Sequence, residues 1–241
     1  MRILRQVLVC VFSFLVASSP ALADQLIQNG GFETGTLAGW TETDQAGGSG
    51  TWYLSSGTSV NNKSVGTTVG PASGTYYAVT DQDDPGAHSL TQTFTLPGGG
   101  AVLSFDMFVN NYGSDGTVCG GGLDYTVSSV ECDRVDILTA GASAFDTGSG
   151  VVENLIEGSD TPLGTVNPYI SYTFDLSGLA PGTYQLRFAE ADNDGYFNMG
   201  VDDVSLVTST TATPEPSSLV LLATGAVGLA GALRRRFRSG L

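Results

Sequence analysis

The chain has 241 residues, 41% of them hydrophobic, with 33 glycines and 24 acidic residues against nine basic ones. Every acidic residue lies between Asp24 and Glu215, and only Lys63, Arg134 and Arg187 are basic there, which leaves that span a net charge of −21. So one-sided a charge excludes nucleic acid and anionic lipid, whose phosphates Lys and Arg must neutralise, and favours neutral partners and divalent cations.

Residues 1–23 read as a secretory signal peptide. Arg2 and Arg5 make a basic start, Val7–Val16 an apolar core, and Ala21-Leu22-Ala23 a small-residue cleavage site. The apolar core is shorter than the ~20 residues a spanning helix needs. Cys10 falls inside this segment, so Cys119 and Cys132 are the only cysteines left after its removal. In an oxidising compartment, two cysteines close in sequence read as a disulfide. The rival, a two-cysteine metal site, needs histidine or more thiols, and the one histidine, His88, is far off in sequence.

Residues 24–208 are long enough for one domain with a sizeable core. Their Thr, Val, Tyr and Phe content, broken by glycine-rich turns, predicts strands at Gln25–Gln28, Thr51–Leu54, Thr75–Thr80, Ser89–Leu96, Ala101–Val109, Arg134–Thr139, Tyr169–Leu176, Thr183–Glu190 and Val201–Val207. Leu103, Phe105 and Met107 alternate with Ser104 and Asp106. Tyr184, Leu186 and Phe188 alternate with Gln185 and Arg187, the sign of antiparallel sheets with one dry and one wet face. Asp81–Gly86 and Glu190–Gly195 read as acidic turns, with His88 a turn residue. The second begins like an EF-hand loop, but its twelfth position is Val201. Val118–Glu131 reads as a loop tied down by the cysteine pair, and Ala140–Gly150 as an exposed loop. The fold class is therefore all-β, a two-sheet antiparallel sandwich of the jelly-roll kind.

Residues 209–216 form a linker ending in Pro214-Glu215-Pro216. Ser217–Leu233 follows without a charge, and Arg234, Arg235, Arg236 and Arg238 close the chain in the basic segment 234–241. As a helix, residues 217–233 would span roughly 25 Å, close to a bilayer core, and the arginines would stay cytoplasmic. This order of parts resembles the PEP-CTERM sorting signal. The resemblance implies processing by an exosortase, a membrane protease-transpeptidase of Gram-negative bacteria that make exopolysaccharide. It implies a transient membrane helix, export across the inner membrane, and release or attachment of the domain at the envelope, surface or matrix.

"LIQNGGFETGTLAGWT" and "FNMGVDDVSL" resemble the first and last strands of galactose-binding-like jelly rolls, which include many carbohydrate-binding modules. "SGTYYAVTDQ" and "LTQTFTLPGGGAVLSFDMFV" resemble their inner strands. That resemblance implies a structural calcium ion held by Glu33 and Asp203, with Asp202 a further ligand and carbonyls near Asn29 or Thr75 completing the shell. The alternative is that Glu33 caps a turn and Asp203 faces water. Tyr112 and Tyr196, beside Gly, Asn and Asp in predicted loops, are the aromatic residues placed to stack on sugar rings, whereas Trp40 reads as core.

No H-E-x-x-H or G-x-S-x-G motif occurs, and among so many carboxylates no pair stands out as an acid and base. The sequence thus reads as a non-catalytic, exported protein that associates with extracellular polysaccharide. Two alternatives stand beside this reading. One is a structural or adhesive surface protein without a sugar site. The other is a polysaccharide-degrading enzyme.

Overall fold

The structure, a computed structural model, describes residues 23–59, 67–81, 84–114, 116–127, 129–208 and 224–226. The chain divides into two compact units, one of residues 23–210 and one of residues 1–22 with 211–241. The predicted leader lies outside the described residues except for Ala23. So does the predicted tail helix, apart from one helical turn at 224–226. Among the described residues no helix is long and apolar enough to cross a membrane.

Ten strands build the larger unit: β1 (Thr41–Asp44), β2 (Trp52–Ser55), β3 (Tyr77–Thr80), β4 (Gly86–Leu96), β5 (Ala101–Asn111), β6 (Glu131–Thr139), β7 (Val151–Glu157), β8 (Ile170–Asp175), β9 (Gly182–Asp192) and β10 (Phe197–Thr208). They form two five-stranded sheets in the orders β1-β4-β9-β6-β7 and β2-β3-β10-β5-β8. Every pairing between strands is antiparallel. Alternation explains the layering. Leu103, Phe105 and Met107 of β5 and Leu186 and Phe188 of β9 point into one core with Val201, Val204 and Leu206 of β10. Phe105 meets Phe188 edge-on across the two sheets, with ring centroids 5.0 Å apart.

Several expectations are corrected. β1 and β7 were not predicted: "TETD" holds no apolar residue, and both strands lie at sheet edges with mostly exposed or half-exposed side chains, so neither alternates clearly. Gln25–Gln28 is not a strand but a single bridge, Gln25 to Val207. β4 starts at Gly86, which puts His88 inside a strand and fully buried rather than in a turn. Glu190 and Asp192 belong to β9, and only the following residues turn. The 140–150 loop covers part of the first sheet's outer face. There Arg187, 0% exposed, donates to the carbonyls of Ala144 (3.0 Å) and Asp146 (2.7 Å) and pairs with Asp136. Cys119 and Cys132 form the expected disulfide.

Candidate functional site

The opening motif folds as a tight turn against β10. The Gly30 carbonyl accepts from Val204 N–H at 3.0 Å, and Leu26 N–H donates to the Leu206 carbonyl at 2.8 Å. β10 bulges between Asp202 and Ser205, with Asp203 at φ +51°, and this turns Asp202 and Asp203 toward the 72–76 turn. Asp202, buried, accepts from Ala72 N–H (2.9 Å) and Ser73 N–H (3.1 Å) through one oxygen and from Asp203 N–H (2.8 Å) through the other. Burial still pushes its carboxyl up to about 6. Glu33, exposed, accepts from Thr75 and Tyr76 N–H at 2.8 and 2.9 Å, and those bonds hold its carboxyl below the ordinary range. Asp203 accepts from Ser73 Oγ at 2.8 Å.

The three predicted metal-site residues are thus brought to one turn, but with different work. Asp202 is committed to clamping it, while Glu33 and Asp203 face each other across Gly31. A β-carbon there would lie 3.5 Å from Asp203 Oδ1 and 4.0 Å from Glu33 Cγ. Among the described residues no group of three or more His, Cys, Asp or Glu side chains is arranged to hold a metal ion. Carboxylate oxygens such as those of Glu33 and Asp203 are the donor type that hard cations take.

Tyr112 and Tyr196 also come together. Tyr112 N–H donates to the Tyr196 carbonyl at 2.8 Å where β5 ends and β10 begins, and both side chains are half-exposed. Burial raises the Tyr112 hydroxyl above its ordinary value. Behind this pair the core turns acidic. His88, Glu190 and Asp133 form one cross-strand row of the first sheet, and Asp192 pairs with Glu131 in the next. All five side chains share the inward face with Phe188, because residues two apart on a strand point the same way. Four of them are 0% exposed and Glu131 is 1% exposed.

Burial drives the electrostatics here. The Glu131 carboxyl is pushed up to about 10 by burial, then by its hydrogen bond with Asp192 and by the charge of that neighbour. Asp192 and Asp133 are raised by burial. Glu190 is raised well above the carboxylate range by burial and by the charges of Asp192 and Glu131. Asp133 is braced by Ser159, whose N–H and Oγ donate at 2.7 and 2.5 Å. His88 Nδ1 lies 2.7 Å from Asp44 Oδ1 and its Nε2 lies 2.7 Å from the Ser49 carbonyl oxygen.

Reading the sequence missed this cluster. Its signal was present, since the alternation that sends Leu186 and Phe188 inward sends Glu190 and Asp192 inward too. The aspartates were instead assigned to a turn by their composition.

The predicted sorting residues Pro214, Glu215, Pro216, Arg234, Arg235 and Arg236 lie outside the described residues. There the sequence itself decides. Residues 212–236 match the PEP-CTERM protein-sorting motif. That motif marks the chain as an exported surface protein processed by an exosortase. No curated protein matches the chain.

Among solved structures, the sandwich of this chain is similar to the TmCBM61 module solved with β-1,4-galactotriose. That pair shares 14% identity at a TM-score of 0.49, over 77% of this chain and 99% of the other. It is similar to the K3 cleaved adhesin domain of Lys-gingipain from Porphyromonas gingivalis, at 16% identity and TM-score 0.48, over 78% and 99%. It is also similar to the CBM22-1 xylan-binding domain of Xyn10C from Paenibacillus barcinonensis, at 13% identity and TM-score 0.43, over 80% and 100%. The ligands named for those domains belong to them.

Proposed function

We propose that this protein is a non-catalytic component of the cell envelope, surface or extracellular matrix of a Gram-negative bacterium, where its sandwich associates with extracellular polysaccharide. The sorting motif at residues 212–236 carries the reading. A disulfide-closed, strongly acidic β-sandwich agrees with life outside the cytoplasm.

Tyr112 and Tyr196 are the aromatic contact surface in this reading, because a half-exposed tyrosine offers an apolar face to a sugar ring and a hydroxyl to its edge. Glu33 and Asp203 hold a structural calcium ion beside the 72–76 turn, and Asp202 fixes that turn. Catalysis finds little support. The carboxyls that lie in pairs, Glu131 with Asp192 and Glu190 with Asp133, are sealed in the core where no polymer reaches them.

The test is made on the processed protein recovered from its bacterium. Retention on that bacterium's exopolysaccharide, without release of products, supports the reading. Passage through the polymer unretained would leave the purely structural or adhesive alternative, and accumulation of shortened chains would make it an enzyme.

A further inference from the structure

β8 stops at Ile170, opposite Met107, while β5 runs on to Asn111. The chain before β8 does not extend the ladder. It arches over the free end of β5 and encloses a cleft of about 240 Å³ lined by Ser159–Pro162, Asn167, Pro168, Ile170 and Tyr172. The arch is braced and not collapsed. Asn167, 4% exposed, donates from its amide N–H to Asn110 Oδ1 (2.8 Å) and from Nδ2 to the carbonyls of Val109 (2.8 Å) and Pro162 (3.0 Å), while Gly164 N–H donates to the Asn111 carbonyl (2.8 Å). The cleft is therefore part of the folded state and needs no ligand to open it.

Its chemistry is lopsided. Tyr172 forms one wall, its ring stacked on Phe105 at 5.3 Å, and Ile170, 47% exposed, forms another. The side chains of Ser159 and Asn167 are spent on Asp133 and on the arch. Thr161 Oγ1 is buried with no hydrogen-bond partner among the described residues, and the Asp160 side chain is exposed at the mouth. A buried hydroxyl without a partner is costly unless something supplies one.

A ligand that satisfies this cleft has an apolar face for Tyr172 and Ile170 and hydroxyls at its edge for Thr161 and Asp160. It carries no negative charge, because Asp160 and a strongly acidic body would repel one. We propose that the cleft seats one neutral pyranose ring of a polysaccharide chain, as a subsite separate from Tyr112 and Tyr196. This rests on the polysaccharide reading above.

The experiment is calorimetric titration of the processed protein with β-1,4-galactotriose, xylotetraose, a mixed-linked β-glucan tetrasaccharide, a galacturonate trimer, and the exopolysaccharide of its own bacterium. It is run on the unsubstituted protein, on Thr161→Val with Asp160→Asn, on Ile170→Ser, and on Tyr112→Ala with Tyr196→Ala, each checked for an unchanged melting temperature. The expected result is that a neutral probe binds, that the galacturonate does not, and that both cleft variants lose at least tenfold in affinity. Neutral binding undiminished in both cleft variants overturns the subsite and leaves the polysaccharide reading standing. No binding of any neutral probe or of the native polymer overturns both.

Discussion

Gly30 lies so close to Val204 that a β-carbon on it would overlap the Val204 carbonyl oxygen. The contact is backbone against backbone, so no side chain can swing away to relieve it. Gly30→Ala should therefore force the opening turn off β10 at the place where the Val204 N–H bond and the Glu33–Asp203 rim are set. A loss of about 1–3 kcal/mol is expected from overpacking, read as a lower urea midpoint with an unchanged slope. An unaltered midpoint would mean that the turn is not held this tightly.

The acidic core sets a pH dependence of unusual sign. Glu131, Glu190, Asp192 and Asp133 all have folded values raised above those of the free side chains. Between the ordinary carboxylate range and about pH 10 the folded state then binds more protons than the unfolded chain, so stability is full below that window and falls as pH rises through it. Each extra proton contributes a slope of about 1.4 kcal/mol per pH unit. Melting temperature should drop steadily from pH 5 to pH 9. Glu131→Gln, which keeps the shape and removes the titration, should flatten the curve and melt higher than the unsubstituted protein at pH 9. A flat curve in the unsubstituted protein would contradict the buried cluster.

Arg187 and Asp136 are both 0% exposed and paired, with Arg134 donating to the second Asp136 oxygen at 2.9 Å. Removing Arg187 leaves buried Asp136 with Arg134 as its one cationic partner among the described residues, and takes the donor from the Ala144 and Asp146 carbonyls. Arg187→Ala should cost about 3–5 kcal/mol, whereas Arg187→Met with Asp136→Leu should recover much of the loss. Chemical denaturation of the single and double variants checks both expectations.

The Cys119–Cys132 bond closes a loop with a sequence separation of 13 and ties the 118–130 segment to β6. Replacing both cysteines with serine should lower stability by roughly 3 kcal/mol. The expected cause is a less restricted unfolded chain, so the urea slope should rise as well. An equal midpoint in the presence and absence of reductant would show that the loop is held by other contacts.

Calcium provides the fifth test. If Glu33 and Asp203 hold the ion, 100-fold excess over the dissociation constant stabilises the folded protein by about 2.7 kcal/mol. Melting temperature should rise with calcium and return on chelation, and Glu33→Gln with Asp203→Asn should abolish the response. A melting curve indifferent to calcium removes the ion from this account.

The sandwich was legible because its central strands alternate. Leu103, Phe105, Met107, Leu186 and Phe188 announce both period and face. The edges were not, because β1 and β7 bury too little for a pattern to be required of them. The opening and closing motifs brought Glu33, Asp202 and Asp203 together before the structure did, and Gly30 now has a steric reason to be glycine. The acidic core was hidden by a habit of inference that sends carboxylates outward. Burial of Glu190 is decided by its register opposite His88 and Asp133, a fact of pairing that no single segment displays. The cleft was invisible for a similar reason, since it exists where β8 fails to match the length of β5.

β10 runs from the tyrosine pair of the sandwich to its Asp24 junction. At its far end Thr208 N–H donates to the Asp24 carbonyl and Asp24 N–H to Thr208 Oγ1, both at 3.0 Å, while its first residue, Phe197, adjoins Tyr196. At about 3.3 Å per residue this strand is roughly 40 Å long. Asp24 and Thr208 are thus tied to each other at one end of β10, a full strand length from the Tyr112–Tyr196 pair at the other. Loosening the Asp24 bonds would free that end of the sandwich and leave the tyrosine end as it is.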